Sequence, residues 1–315
     1  MSKLFVNFAV LVFAVSVFSQ TPRTAKDFND RGVERLARGS YDDAISDFSQ
    51  AIELTSRLKG KRTSLANDLS ANRELTDQDI LHQRVTVIDP RTAASYVNRG
   101  TAFFSKSDID RAIDDFSRAI AIAPGMVEPH ISRGTAWLIK KDLERALADF
   151  ENGLRIDPKC VRGYFGRGLA RLSKGDTESA FTDFDYAVEL EPKNPDAYYY
   201  RGDARRFTRD TEGALADFEF AMKLNPRLAL PYFGRGAVRF RKMDFAGAIE
   251  DFTTALNLDG RMAQAYKDRG YVYYVLGKTA EAERDFNRAR SLAPRFTAEI
   301  EANLKIMNSW KSEAK

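Results

Sequence analysis

Histidine and cysteine are nearly absent from this sequence: two histidines, His82 and His130, and one cysteine, Cys160, occur in 315 residues. A single cysteine excludes an internal disulfide, and Cys160 stands in no metal-ligand spacing. Neither histidine lies near a plausible nucleophile. No glycine-rich phosphate loop is present, and nor is any cluster of metal-ligating residues. The sequence therefore reads as a non-enzyme, with no catalytic residue, metal site, cofactor or small-molecule substrate. Charge of one sign is also scarce: 49 basic against 45 acidic residues leave a net charge of +4. The charges are interspersed, so no strong field for a polyanion follows, which argues against a nucleic-acid partner.

What is present begins with an apolar segment. Lys3 is followed by an uncharged run from Leu4 to Phe18. A basic start and an apolar stretch of about 15 residues match an export signal, while a membrane span needs about 20. Val17-Phe18-Ser19 suits cleavage after Ser19, which makes residues 1–19 a signal peptide. A retained membrane anchor and a buried N-terminal helix are the alternatives. No cysteine lies nearby to take a lipid.

Beyond it, the chain repeats itself. Asp-Phe recurs at Asp47-Phe48, Asp115-Phe116, Asp149-Phe150, Asp183-Phe184, Asp217-Phe218, Asp251-Phe252 and Asp285-Phe286, in steps of 34 residues after a first step of 68. Arg-Gly keeps the same frame from Arg31-Gly32 through Arg99-Gly100, Arg133-Gly134, Arg167-Gly168, Arg201-Gly202 and Arg235-Gly236 to Arg269-Gly270. Proline follows at Pro90, Pro124, Pro158, Pro192, Pro226 and Pro294. Chance does not hold three markers in phase over this length.

One unit, residues 161–194, shows the physics. A first helix is predicted from about Val161 to Ser173, with Gly168 allowing close approach of a second. Gly175 breaks the chain, and Asp176 can cap the next helix, as can Ser40, Asp108, Asp142, Asp210 and Asp244 in other units. The second helix places Ala180, Phe184 and Ala187 on one face. Pro192 ends it. Two such helices cannot bury their apolar faces alone, and stacking on the next pair does so.

With positions counted from the start of each unit, the pattern resembles the tetratricopeptide repeat, which has small residues at positions 8, 20 and 27, an aromatic at 24 and proline at 32. Position 20 is Ala44, Ala112, Ala146, Ala180, Ala214, Ala248 and Ala282. Position 4, usually a large aromatic, is Phe28, Tyr96, His130, Tyr164, Tyr198, Tyr232 and Tyr266. The resemblance covers residues 25–296. It implies an all-α, right-handed superhelical solenoid of seven to eight helix-turn-helix units: 25–58, 93–126, 127–160, 161–194, 195–228, 229–262 and 263–296. Residues 59–92 fill one unit length but hold Gln78, His82 and Val85 where alanine, phenylalanine and alanine are expected. Their polar stretch from Lys59, Lys61 and Arg62 to Asp79 reads as loop-like. They form either a degenerate helix pair or an insertion. In residues 297–315, Ile300, Leu304 and Met307 continue a helical stripe begun at Phe296, which reads as a helix capping the array.

Two sets of residues invite a functional reading. Position-7 arginine and position-23 aspartate sit on facing helices and read as a repeated ion pair. A second arginine one turn on, at Arg171, Arg205 and Arg239, requires an anion between like charges. The repeat aspartate meets that need, or else an acidic ligand does. The second set comes from the resemblance, which puts positions 2, 5, 9, 12 and 13 of each first helix on a concave binding face. There the sequence holds Arg162, Phe165, Tyr199, Asp203, Arg206, Phe207, Phe233, Phe240, Arg241, Lys267, Tyr271 and Tyr274. Aromatics and arginines are enriched in binding hot spots, although some of these rings could instead pack between helices. The lysine and asparagine that grip a C-terminal carboxylate in chaperone-binding relatives are replaced by Asn29 and Val33, then by Val97 and Thr101. The expectation is an exported scaffold, periplasmic or secreted, that binds a protein or peptide segment in its groove. A structural envelope component held by an uncleaved N-terminal segment and an RNA-binding array are the alternatives.

Overall fold

The structure, a computed structural model, describes residues 22–70 and 90–313; for residues 58–70, 90 and 309–313 it describes the backbone alone. Among the described residues there are fifteen α-helices and no strand. They run in pairs: α1 (Ala25–Ala37) with α2 (Tyr41–Ser70), α3 (Pro90–Ser105) with α4 (Ile109–Ile122), and α5 (Val127–Ile139) with α6 (Leu143–Ile156). Next come α7 (Val161–Lys174) with α8 (Thr177–Leu190), α9 (Pro195–Phe207) with α10 (Thr211–Leu224), and α11 (Ala229–Arg241) with α12 (Phe245–Leu258). The last are α13 (Ala263–Val275) with α14 (Thr279–Leu292), and a final helix, α15 (Phe296–Glu313). The all-α fold of tandem helix pairs is the one the 34-residue period predicted.

The chain divides into two compact units, residues 1–170 and 171–315, with the boundary inside α7. In each unit the core is the same small machine repeated. The position-24 phenylalanine, from Phe48 to Phe286, is fully buried. It lies on the position-8 glycine of its own pair, where a β-carbon would stand 2.9 Å from the ring at Gly202 and at Gly236. Its other face takes position 6 of the next first helix. Phe150 meets Gly166 in the first unit. In the second, Phe184 stacks on Tyr200 at 5.5 Å and Phe218 meets Gly234. One ring thus joins three helices, which is why neighbouring pairs are needed to finish the core.

The connections follow the expected chemistry. Asp108, Asp142, Asp176, Asp210 and Asp244 each cap a second helix by accepting the N–H three residues on. The residue before each cap is in the left-handed region. Glycine fills that place at Gly175 (φ 87) and Gly277 (φ 75), but Ser107, Lys141, Arg209 and Met243 adopt it with φ of 61 to 65. Tyrosine at position 4 donates its hydroxyl to the carbonyl of the preceding proline: Tyr164 to Pro158, Tyr198 to Pro192 and Tyr232 to Pro226.

Two expectations are corrected. Lys59, Lys61 and Arg62 are helical, because α2 continues without a break to Ser70, 30 residues against 14 in the other second helices. No proline lies between Leu58 and Asp89 to stop it, and leucine, lysine, arginine and alanine favour helix. Pro90, expected to close a unit, opens α3 instead, at the first position where a missing N–H costs nothing. The choice between a degenerate pair and an insertion, with Gln78, His82 and Val85, lies outside the described residues, as does the N-terminal apolar run. At the other end, α15 covers the last pair through buried Phe296 and Ile300, with Leu304 and Met307 packed beside them.

Candidate functional site

The arginine–aspartate ladder is a structural clamp. Arg201 donates Nε and Nη2 to the two oxygens of Asp217 at 3.0 and 2.7 Å. The same fork joins Arg31 to Asp47, Arg99 to Asp115, Arg133 to Asp149, Arg235 to Asp251 and Arg269 to Asp285. The remaining Nη1 reaches position 25 of the preceding second helix, as Arg99 to Ser49 (3.0 Å), Arg133 to Ser117 (2.9 Å), Arg201 to Asp185 (2.6 Å) and Arg269 to Thr253 (2.9 Å). The second arginine of a pair uses the same aspartate: Arg205 reaches Asp217 at 2.8 Å, Arg171 reaches Asp183 at 2.8 Å, and Arg239 reaches Asp251 at 3.0 Å. The anion between the like charges is therefore the repeat carboxylate.

The candidate binding stripe separates into buried and accessible members. In the first unit Arg162 is exposed and pairs with Glu128, while Phe165 is half-buried. In the second unit three residues expected on the accessible face are not on it. Tyr199 is buried against the Phe218 ring, with centroids 5.9 Å apart. Tyr271 is buried edge-on to Phe286 at 5.2 Å, and its hydroxyl accepts from Asn303 of α15 at 2.9 Å. Lys267 is buried under α15, where it pairs with Glu299 and stands 4.7 Å from the centre of the Phe296 ring. Tyr274 is half-buried and donates to Asn308 of α15. Positions 5, 8 and 12 share one helical face, so a ring at position 5 meets the same phenylalanine as the glycine at position 8. Phe233 does so too, 5.8 Å from Phe252.

The accessible remainder clusters at the C-terminal ends of α9 and α11. Phe207 is 58% exposed, with the Arg206 guanidinium over its ring at 4.4 Å. Arg206 is itself held by Asp203 at 2.7 and 2.9 Å. Arg241 is exposed and donates to the Arg206 carbonyl at 3.1 Å. Phe240 is half-buried, 6.1 Å from Phe245. The surface sets aromatic rings beside cations.

Sequence reasoning missed a set of polar groups lining the same helices. Asp268 accepts from Gln264 at 3.0 and 3.1 Å, and burial pushes its carboxyl up to about 6. Burial also raises Asp196, whose Oδ1 is enclosed without a hydrogen-bond partner, and holds the Tyr200 hydroxyl near about 12. These are positions 2 and 6 of the unit, which carry no fixed residue type and so no repeated signal. His130 is buried, with Nδ1 3.7 Å from Asp149, a carboxylate already held by Arg133. Among the described residues no group of three or more His, Cys, Asp or Glu is arranged to hold a metal ion. No helix of the described residues is long and apolar enough to cross a membrane.

Comparison with known proteins agrees with this architecture. Two tetratricopeptide repeat profiles match, one over residues 263–296 and the other over 73–127, 140–195 and 165–226. No curated protein matches the sequence. Among solved structures, the chain is similar to a tetratricopeptide repeat protein from Parabacteroides merdae, with 17% identity, a TM-score of 0.64 and coverage of 89% of this chain and 97% of that one. It is similar in fold to a chain of the APC/C hetero-tetramer Cut9-Hcn1 at 16% identity and a TM-score of 0.63, covering 89% of this chain and 55% of that one. A third likeness is to a thermophilic tetratricopeptide repeat protein of Thermus thermophilus, at 16% identity and a TM-score of 0.50, covering 58% of this chain and 99% of that one.

Proposed function

Because the chain belongs to the tetratricopeptide repeat family, whose profiles together span more than half of it, we propose that it is a non-enzymatic scaffold that binds a protein or peptide segment along its first helices. The observation that carries this reading is the accessible cluster of Arg206, Phe207, Phe240 and Arg241, where a ring stacked by a guanidinium stands open to solvent. Aromatic and arginine side chains of this kind supply most of the energy of an interface when a partner desolvates them. Asp203 fixes the direction of Arg206, so less side-chain freedom is lost on binding. In the first unit, exposed Arg162 and half-buried Phe165 lie on the same first helix.

The test uses the full chain and its native partner. Arg206→Gln with Phe207→Ala should abolish capture of the partner, and leave helical circular dichroism and the melting midpoint nearly unchanged. Tyr199→Ala, by contrast, should lower the melting midpoint. Unchanged capture by the double variant would remove the site.

The run Leu4–Phe18 supports export as the setting of this binding. Mass spectrometry of the native protein should find a mature chain beginning near Gln20, and an intact Met1 in a cytosolic pool would end the proposal. A chain found wholly in the membrane fraction with Met1 in place would support retention in the envelope instead. The near balance of charge counts against an RNA partner.

A further inference from the structure

The turns joining first to second helices in the second unit carry exposed apolar and cationic side chains that the binding stripe uses only in part. Each of three successive turns presents an exposed apolar side chain and an exposed cation, the second turn adding Lys242 and the third Val275. Phe207 stands with Arg209, Met243 with Arg241, and Leu276 with Lys278. The apolar members are 58%, 73% and 42% exposed, unusual for large hydrophobic side chains on consecutive turns. The three cations are exposed as well, and among the described residues none is paired with a carboxylate.

The acids of the first two turns are already engaged. Asp210 accepts the N–H of Gly213 and faces Arg205 at 3.3 Å. Asp244 accepts the N–H of Gly247 and faces Arg239 at 3.7 Å. Glu212 takes Lys242 at 2.9 Å, and Asp203 takes Arg206 at 2.7 Å. What the edge offers to a visitor is thus apolar and positive. Two of its residues, Arg209 (φ 65) and Met243 (φ 62), also hold the left-handed backbone that Gly277 holds in the next turn. A side chain is kept there against its conformational preference.

We infer that this edge is a second interaction surface, and that its occupant is an acidic amphipathic helix of a partner protein laid across the three turns. The spacing supports a helix. Packed helices stand about 8–10 Å apart, and seven residues of α-helix advance about 10.5 Å. One apolar residue per heptad, flanked by glutamate or aspartate, would offer apolar contacts to Phe207, Met243 and Leu276, which stand at positions 13, 15 and 14 of their units, and acids to Arg209, Arg241 and Lys278. The Phe207 ring is held by the Arg206 guanidinium, which favours a shaped partner over a fluid lipid surface. Phe207 and Arg241 also belong to the stripe above, so the inference rests in part on that reading. Arg209, Met243, Leu276 and Lys278 belong to the edge alone.

The experiment titrates the full chain into a labelled synthetic helix of about 21 residues, with leucine at every seventh position and glutamate beside it, followed by fluorescence anisotropy. A scrambled peptide of the same composition and phosphatidylglycerol vesicles serve as comparisons. The patterned helix should bind with micromolar affinity and the scramble at least tenfold more weakly. Arg209→Glu, Met243→Ser and Lys278→Glu together should weaken the patterned helix at least tenfold with the melting midpoint preserved. No binding, equal binding of the scramble, or a triple variant with full affinity would overturn the inference. Vesicles that bind the wild-type chain but not the triple variant, with no peptide binding, would replace the helix by a lipid surface. Failure of the groove reads out separately, as native-partner capture that survives Arg206→Gln with Phe207→Ala.

Discussion

Gly236 lies flat against the ring of Phe252, so close that a β-carbon would stand 2.9 Å from two ring carbons. Phe252 is fully buried and has no room to retreat. Gly236→Ala should therefore destabilise the fold by about 1–3 kcal/mol through overpacking, against a gain of at most about 1 kcal/mol from alanine's better helix propensity. Thermal unfolding checks this, and a raised melting midpoint would show that the ring can yield.

The carboxylate of Asp217 serves two arginines and that of Asp285 serves one, since Tyr273 occupies the second arginine's place in the last pair. Asp217→Asn should cost about 2–4 kcal/mol, because two guanidiniums only partly reached by water lose their shared charge and keep only Asp185 and Asp210. Asp285→Asn should cost less, and denaturant titration of the two variants side by side measures the difference. Equal losses would mean that Arg205 contributes nothing through its pairing.

Asp268 has a carboxyl raised to about 6 by burial. The folded state then holds its proton more tightly than the unfolded chain does, so stability falls as pH rises from about 4 to about 6 and the penalty is complete above that. Asp268→Asn should remove that slope and raise stability at pH 7 by about 2–3 kcal/mol. Melting midpoints of both proteins between pH 4 and 8 test it. A variant that loses stability at pH 7 would show that the charged carboxylate is needed there.

Met243 holds a left-handed conformation while exposing most of its side chain. Met243→Gly should relieve the backbone strain and stabilise by about 0.5–1 kcal/mol, after allowance for glycine's greater freedom in the unfolded chain. A lower melting midpoint would reveal packing by the methionine.

The helix pairs were legible in the sequence because each marker has one packing task at one depth in every unit. Phe184 must fill the same hole as Phe218, Gly202 must clear the same ring as Gly236, and Asp176 must cap as Asp210 does. The candidate surface was legible only in part. Position 5 lies three residues before position 8, so Tyr199 turned into the core that Gly202 already marked. Lys267 and Tyr271 disappeared beneath α15, a helix whose placement depends on contacts 32 residues away in sequence. The exposed turn residues Arg209 and Met243 left no trace, because a left-handed turn is announced by glycine and these positions have none.

The forked arginines have a consequence for inheritance as well as for folding. Four of them reach back to position 25 of the pair before, where Ser49, Ser117, Asp185 and Thr253 all present an oxygen. Because any of these acceptors can serve any of these donors, loss or duplication of one whole 34-residue segment would bring a compatible pair together at the new junction. The gene for such a chain can lengthen or shorten by unequal recombination without passing through a broken product. Repeat number is then free to change while every junction keeps an acceptor for its arginine.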